Sequence, residues 1–280
     1  MEGDILRVSL LQIDVKPDEP VETRRERVAG LVRAQDGADL VVLPELWPVG
    51  AFAFDTFADH AEPVDGPTAR AMGAAARDAG VWLHAGSIVE RDQTPQGDCI
   101  LYNTSLLFSP DGELHRMYRK IHRFGFDKGE AILMGAGHEI VTARLDDAVI
   151  GLATCYDLRF PEQFRLLVDA GAQLFVVSAG WPARRRAHWS LLARARAVES
   201  QAYVLACSTA GRHAGVEQAG YSVVVDPWGE VVAEAGAGEE TLSVELDPVH
   251  VVKTRTEFPV LRDRVLGLPA PTKSTKPIKP

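Results

Sequence analysis

Apolar, strand-like segments alternate with helix-like segments along most of this chain, and that alternation restricts its fold more than any other feature. The apolar run AVIGLAT (148–154) precedes the helical pattern PEQFRLLVDAG (161–171), and QLFVVSAG (173–180) precedes AHWSLLARARAVESQA (187–202). The first half has the same rhythm and begins with ILRVSLLQI (5–13). Strands that alternate with helices predict an α/β protein built from layered sheets.

Length and composition are those of one globular domain with a short tail. The 280 residues are 46% hydrophobic and 25% charged, as in ordinary globular proteins. A large α/β fold often uses this length as a single domain, so we predict one domain over residues 1–268. Residues 269–280 are rich in Pro and Lys and carry little to bury, which predicts a disordered tail.

Charge and apolar patterning exclude several classes of partner. The formal net charge is −9, and the cluster 184–186 (Arg-Arg-Arg) is the one local excess of positive charge, so we expect no nucleic-acid partner. No apolar run approaches the roughly 18–20 residues of a membrane helix, and the N-terminal segment reads as a strand rather than a signal peptide. We therefore expect no membrane partner.

The three cysteines, Cys99, Cys155 and Cys207, form neither a CxxC pair nor an even set for disulfides. Reduced thiols in the cytoplasm are the simplest interpretation. No His or Cys cluster has the spacing of zinc ligands, so we expect no metal. Cys99 and Cys207 are interpreted as small buried residues.

Cys155 stands out because it ends the apolar run in GLATCYDLRFPEQF and is followed at once by a polar turn. One interpretation is a small buried residue. The other is a nucleophile presented where a strand gives way to a helix. The neighbouring Asp157, Arg159 and Glu162 are interpreted as bracing that turn, or an interface, rather than taking part in chemistry.

Three further charged residues stand in strand-like or loop segments, and by themselves each has an ordinary explanation. Glu45 ends the strand DLVVLPE, at the edge where layered α/β folds bind ligands, but it also suits a solvated loop. Lys120 lies in HRMYRKIH, where alternation does not decide which face is buried. Glu130, in FDKGEAILMG, reads as a solvated loop residue.

Taken together, these stretches resemble the nitrilase superfamily of carbon–nitrogen hydrolases. The similarity rests on LVVLPEL around Glu45, YRKIHRFGFDKGE around Lys120 and Glu130, and CYDLRFPEQFR around Cys155, with support from YNTSLLFSPDGEL and VVDPWGEVVAEA. It extends from about Val8 to about Arg264. The resemblance implies a four-layer αββα sandwich that assembles as a homodimer or a larger homo-oligomer through its helices.

The resemblance also implies a catalytic set of Glu45, Lys120 and Cys155, with Glu130 as a supporting glutamate. Cys155 would attack an amide or nitrile carbon, and Glu45 would accept the thiol proton. Lys120 and the backbone N–H of Tyr156 would stabilise the oxyanion, and water would hydrolyse the resulting thioester. No metal or organic cofactor is needed.

The stretch SAGWPARRRAHW narrows the range of possible substrates, because it resembles a Trp-Pro loop of bacterial omega-amidases. The matching arginine is Arg185, which would hold a substrate carboxylate in a bidentate grip, beside Trp181 in the pocket wall. A solvated loop cation explains Arg185 equally well. We predict hydrolysis of a small linear amide, in a branch of aliphatic amidases or omega-amidases, to an acid and ammonia.

Two alternatives stay open at this point. The same residues suit a nitrilase or an N-carbamoyl amino acid hydrolase. A chain of this fold could also be an inactive scaffold, although all four residues of the catalytic set are present.

Overall fold

Two six-stranded sheets form the centre of the protein. The computed structural model describes residues 5–146 and 148–267; the predicted tail at 269–280 lies outside the described residues. The strands are β1 Leu6–Gln12, β2 Leu40–Val42, β3 Trp82–Gln93, β4 Cys99–Phe108, β5 Leu114–Arg119, β6 Thr142–Leu145, β7 Ala148–Thr154, β8 Leu174–Ala179, β9 Tyr203–Ser208, β10 Arg212–His213, β11 Val216–Glu217, β12 Val223–Val225, β13 Val231–Glu234 and β14 Glu240–Leu246.

The first sheet has the strand order β14-β1-β2-β3-β4-β5, and the second has the order β13-β12-β9-β8-β7-β6. Strands β1, β2 and β3 are parallel neighbours, as are β7, β8 and β9, while the outer strands of each sheet are antiparallel. Short β10 and β11 pair as a separate hairpin.

The helices are α1 Val21–Arg33, α2 Phe57–His60, α3 Pro67–Ala79, α4 Glu130–Leu133, α5 Pro161–Asp169, α6 Arg186–Ser200 and α7 Val249–Glu257. Of these, α1 and α3 cover the outer face of the first sheet, and α5 and α6 cover that of the second. Val28 and Val32 of α1 and Met72 of α3 pack on the first sheet, while Phe164 of α5 and Trp189 of α6 pack on the second. None of these helices, within the ranges described, has the length and apolar content needed to cross a bilayer.

The inner faces of the two sheets meet in a shared core. Leu10, Val42 and Leu107 of the first sheet pack against Leu152 and Val176 of the second, all essentially inaccessible to water. Helix, sheet, sheet and helix therefore stack in four layers, and the predicted αββα sandwich is confirmed. The apolar runs read from the sequence follow from this arrangement, because a strand between a helix layer and a second sheet is buried on both faces.

The carboxyl ends of the parallel strands meet at one edge of the sandwich. Glu45 comes three residues after β2, Cys155 directly after β7, and Gly180 directly after β8. Such edges bind ligands in layered α/β folds because several loops converge there.

Candidate active site

Cys155 begins a short 3₁₀ helix, Cys155–Arg159, at the end of β7. Its backbone has a φ of 49°, a left-handed conformation that is uncommon for a residue with a side chain. A capping box between Thr154 and Asp157 holds the turn. The thiol is buried, and Sγ lies 3.8 Å from the carbonyl oxygen of Gly180. The predicted strand-to-helix corner is therefore present.

Glu45 is buried, and each of its two carboxylate oxygens accepts a hydrogen bond. Its Oε2 accepts a 2.8 Å hydrogen bond from the backbone N–H of Gly180, the residue whose carbonyl faces the thiol. Its Oε1 accepts a 2.7 Å hydrogen bond from Lys120 Nζ. The carboxylate is thus fixed between the ammonium and the chain that follows β8.

Lys120 follows β5, and its ammonium lies between two carboxylates. Nζ is 2.7 Å from Glu45 Oε1 and 2.7 Å from Glu130 Oε2, and all three side chains are buried. Glu130, at the start of α4, also accepts a 2.7 Å bond from the backbone N–H of Phe124. Glu130 is therefore not the solvated loop residue that its segment alone suggests.

Asn103, on β4, is a polar member of the site that sequence reasoning missed. Its Nδ2 donates to Glu45 Oε1 at 2.8 Å and to Glu130 Oε1 at 2.6 Å. One amide group therefore ties the two carboxylates together, and it shares Glu45 Oε1 with Lys120. The segment YNTSLLF resembles that of a family, but nothing in its pattern distinguishes Asn103 from a polar strand residue.

The protonation states follow from burial and charge. Burial, together with the neighbouring Glu45 carboxylate, raises the pKa of the Cys155 thiol well above its ordinary value, although Lys120 opposes this. Burial acts to lower the pKa of Lys120, but the carboxylates of Glu130 and Glu45 outweigh it and raise that pKa. Burial raises the pKa of Glu130 against the opposing ammonium. The resting site therefore holds a protonated thiol beside a cationic lysine.

The backbone N–H of Tyr156 belongs to the first turn of the 3₁₀ segment, where amides have no partner within the helix. Thr154 caps the amide of Asp157, one residue further on. The amide of the residue after the thiol therefore has no hydrogen-bond partner within the 3₁₀ segment.

A pocket opens directly above the thiol, with about 380 Å³ of free space including its mouth. Its lining includes the four predicted catalytic residues and, on the walls, Phe52, Phe124, Tyr156, Arg159, Trp181 and Arg185. Both residues predicted to contact substrate, Trp181 and Arg185, are therefore part of the pocket wall.

The sequence interpretation assigned Arg159 to bracing the turn or an interface and did not place it in the pocket. Its guanidinium stacks 4.8 Å from the centre of the Trp181 ring and lines the pocket. The spacing C-x₃-R, which places Arg159 at the end of the turn that starts with Cys155, is the signal that could have indicated this.

The other two cysteines lie outside the pocket. Cys99 is exposed, so its interpretation as a buried residue was wrong: it begins β4 at the edge of the sandwich. Cys207 is buried as predicted, with Sγ 3.4 Å from the carbonyl oxygens of Leu11 and Val42. Within the described ranges, no group of three or more His, Cys, Asp or Glu side chains is placed to hold a metal ion.

An αββα sandwich with a buried thiol, an ammonium and two carboxylates in one pocket defines a class of hydrolases that work through a cysteine. A sequence profile described as carbon-nitrogen hydrolase matches residues 7–256. The chain belongs to this family, and the predicted membership of the nitrilase superfamily is confirmed. It is therefore an enzyme that hydrolyses carbon–nitrogen bonds.

Individual relatives agree with this assignment. The chain is 40% identical over 263 residues to a 2-oxoglutaramate amidase of Paenarthrobacter nicotinovorans, covering 92% of this chain and 89% of the relative. It is similar to the crystal structure of Saccharomyces cerevisiae Nit3, of branch 10 of the nitrilase superfamily, with a TM-score of 0.82, 32% identity and coverage of 92% and 96% of the two chains.

A third relative is an amidase of Nesterenkonia sp. AN1, solved as a Glu-to-Gln variant with the acetamide moiety of fluoroacetamide attached to its active-site cysteine. The TM-score is 0.77, with 26% identity and coverage of 93% of this chain and 97% of the other.

Proposed function

We propose that this enzyme hydrolyses a small linear amide that carries a carboxylate at its far end, an omega-amide, to a dicarboxylic acid and ammonia. The observation that carries the proposal is the pair of guanidinium groups, Arg159 and Arg185, in the wall of the pocket above the Cys155 thiol. The 2-oxoglutaramate amidase named among its relatives acts, by its name, on a substrate of this class.

The two guanidiniums are suited to an anion. Arg159 contacts only the Trp181 ring and His188 Nδ1 at 3.4 Å, and Arg185 lies over the ring of Phe124; neither forms an ion pair with a carboxylate in the described ranges. Burial and the neighbouring Arg184 and Arg159 lower the pKa of Arg185. A bound carboxylate would offset that repulsion and accept paired hydrogen bonds.

The reaction starts from a protonated thiol. As Sγ of Cys155 attacks the amide carbon, its proton passes to Glu45 and the carbonyl oxygen becomes an oxyanion, which Lys120 and the N–H of Tyr156 stabilise. The C–N bond breaks as Glu45 returns the proton to the leaving nitrogen, so that ammonia departs and a thioester remains. Water then attacks the thioester carbon as Glu45 takes its proton, the C–S bond breaks to release the acid, and Glu45 returns the proton to the Cys155 sulfur.

Glu130 would keep Lys120 cationic and in place through this cycle. Glu130 lies 2.7 Å from Nζ and is itself held by the bond that it accepts from Phe124 N, so it helps to fix the ammonium. Since the ammonium does not lose its proton, it can stabilise negative charge on the substrate at both steps.

Two further properties belong to the proposal. The chain acts as a homodimer or larger homo-oligomer, supported by the exposed apolar residues Leu166 of α5 and Leu191 and Val198 of α6. It works in the cytoplasm, supported by three free cysteines, one of which must stay reduced to act.

The test compares four substrates that differ only in their ends: glutaramate, the neutral pentanamide, 4-cyanobutanoate and N-carbamoyl-β-alanine. Released ammonia is measured for the wild type, Arg185→Ala and, as a matched control, the neighbouring Arg184→Ala, which lines only the outer mouth. We expect kcat/KM to be highest for glutaramate. Arg185→Ala should lower that value about 10–100-fold, as loss of a charged hydrogen bond does, and leave pentanamide unaffected.

Arg184→Ala should behave like the wild type on all four compounds. Equal turnover of glutaramate and pentanamide would contradict the carboxylate grip. Faster turnover of the nitrile or the carbamoyl compound than of glutaramate would show that the enzyme prefers that substrate class to amides.

A further inference from the structure

Asp157 is a fully buried carboxylate that accepts four hydrogen bonds, two on each oxygen. Oδ2 accepts from the backbone N–H of Thr154 at 2.8 Å and from the Tyr118 hydroxyl at 2.7 Å. Oδ1 accepts from the backbone N–H of His122 at 3.0 Å and from His122 Nδ1 at 2.8 Å. Asp157 does not line the pocket, so the chemistry above makes no use of it.

The donors belong to two distant segments, each of which carries one reacting group. Tyr118 and His122 flank Lys120 by two residues on either side, in the first sheet and the loop after it. Thr154 directly precedes Cys155, at the end of a strand of the second sheet. The Asp157 carboxylate therefore connects the segment that carries the Lys120 ammonium to the segment that carries the Cys155 thiol.

The surrounding groups keep the four donors in place. Burial and the charge of Asp157 raise the pKa of Tyr118, so its hydroxyl stays protonated and donates to the carboxylate. That hydroxyl also accepts from Gln163 Nε2 at 2.9 Å. The His122 ring stacks on Phe160 with 3.7 Å between ring centres and 5° between planes.

We propose that Asp157 is a positioning residue that sets the distance between the Cys155 thiol and the Lys120 ammonium. The backbone of Cys155, with its φ of 49°, is held in a conformation of higher energy, and the bond from Thr154 N to Asp157 closes the turn that imposes it. The same carboxylate fixes the chain on both sides of Lys120. This inference rests on the proposed function, because it assumes that the thiol and the ammonium act on one substrate.

The test is Asp157→Asn, which keeps the shape of the side chain but puts an NH₂ group against two of the four donors. We expect kcat for glutaramate to fall on the order of 100-fold, because small displacements of reacting groups have effects of that size, while KM changes less than about twofold. The rate constant for alkylation of Cys155 by iodoacetamide should fall with kcat, measured on protein whose folded fraction is known from circular dichroism.

His122 supplies a second test that does not risk the fold, since its ring is 28% exposed. His122→Phe keeps a ring against Phe160 but loses the Nδ1 donor, and we expect a loss of kcat of about tenfold, the effect of one hydrogen bond to a charged group. His122→Asn places an amide N–H near the position of Nδ1 and should recover most of that loss. A residue with only a packing role would show the reverse order.

Glu62→Gln is the matched control, because Glu62 is also a buried carboxylate that binds a backbone N–H, that of Thr68, away from the pocket. It should lose stability without losing kcat per folded molecule. Unchanged kcat and alkylation in Asp157→Asn, or losses explained by the unfolded fraction, would overturn the inference. Failure of the proposed function would appear separately, as equal turnover of glutaramate and pentanamide by the wild type, while alkylation of Cys155 would still report on the role of Asp157.

Discussion

At the residue scale, the site depends on holding two carboxylates close to each other. Glu45 and Glu130 are both buried and share one ammonium, so their mutual repulsion is only partly offset by Lys120. Asn103 adds two N–H donors, one to each acid. Hydrogen bonds to a carboxylate favour its charged form, so Asn103 lowers the pKa of Glu130 against the burial that raises it.

We therefore predict a shift in the pH profile when Asn103 is replaced by leucine. The pKa of Glu130 should rise further. As the pH is lowered, Glu130 is then protonated at a higher pH than in the wild type, and the activity that depends on its charged form is lost at that higher pH. At neutral pH, kcat should drop about 10–100-fold, the cost of two missing hydrogen bonds to charged groups. The measurement is the acid limb of kcat/KM against pH.

Thr104→Val is the control for that variant. Thr104 is the next residue on β4, and its hydroxyl bonds the buried Glu90 rather than a pocket acid. It should lose stability without moving the acid limb. An unshifted limb in Asn103→Leu would show that the amide does not tune the carboxylates.

The sequence could reveal Glu45, Lys120, Glu130 and Cys155 only as a set, through a resemblance that spans most of the chain. Taken singly, Glu130 in its loop reads as solvated. Its burial depends on Phe124 and Lys120, and on strands that lie far away in the sequence, and none of these contacts can be read from its own segment. Asn103 was missed for a related reason. Its two partners are 58 and 27 residues distant along the chain, so no local pattern contains them.

At the scale of the element, strand β3 positions Glu45 although it contributes no side chain to the pocket lining. Its pairing with β4 shifts register between His84 and Ser87, which marks a β-bulge. The bulge turns Ser87 Oγ toward the backbone N–H of Leu46, at 3.0 Å, and the carbonyl of Ala85 toward Trp47 Nε1, at 2.9 Å. These bonds fix the loop immediately after Glu45.

Gly86 sits inside this bulge with a φ of 65°, and a Cβ there would lie 1.9 Å from the carbonyl oxygen of Pro44. We predict that Gly86→Ala displaces the loop, lowers the free energy of unfolding by about 3 kcal/mol through backbone strain and overpacking, and reduces kcat as well. Denaturant unfolding and kcat for the same sample measure both effects.

Gly80→Ala is the control that introduces backbone strain without displacing the loop after Glu45. Gly80 ends α3 with a φ of 67°, but a Cβ there meets nothing within 4 Å. It should cost about 1–2 kcal/mol for the left-handed backbone and leave kcat unchanged. If both variants had the same kcat, the bulge would not position Glu45. The bulge follows from the close approach of Gly86 to the backbone of Pro44, 42 residues away, which no single segment encodes.

At the scale of the whole molecule, the outer surface of the second helix layer is unusually apolar. Leu191 and Val198 lie seven residues apart on the same face of α6 and are 66% and 52% exposed. Leu166 of α5 is also exposed, and the tip of the β12–β13 hairpin adds Trp228, which stacks on Phe258. Gly229, next to Trp228, lies against Val198 and joins the hairpin to the helix. Exposed apolar residues grouped on neighbouring elements in this way are typical of protein–protein contacts.

A second copy of the chain is the partner implied by the resemblance to the family, so we predict that this face forms the contact of a homodimer. Val198→Glu would place a carboxylate on each side of a two-fold contact, where both charges lose water and face apolar neighbours. Mass measured by sedimentation should change from that of a dimer to that of a 30.5 kDa monomer.

Leu114→Glu, a comparable change at an exposed residue of β5 in the first sheet, should leave the dimer intact. A wild-type protein that sediments as a monomer at micromolar concentration, or a dimer that Val198→Glu does not weaken, would show that the apolar face does not hold two chains together.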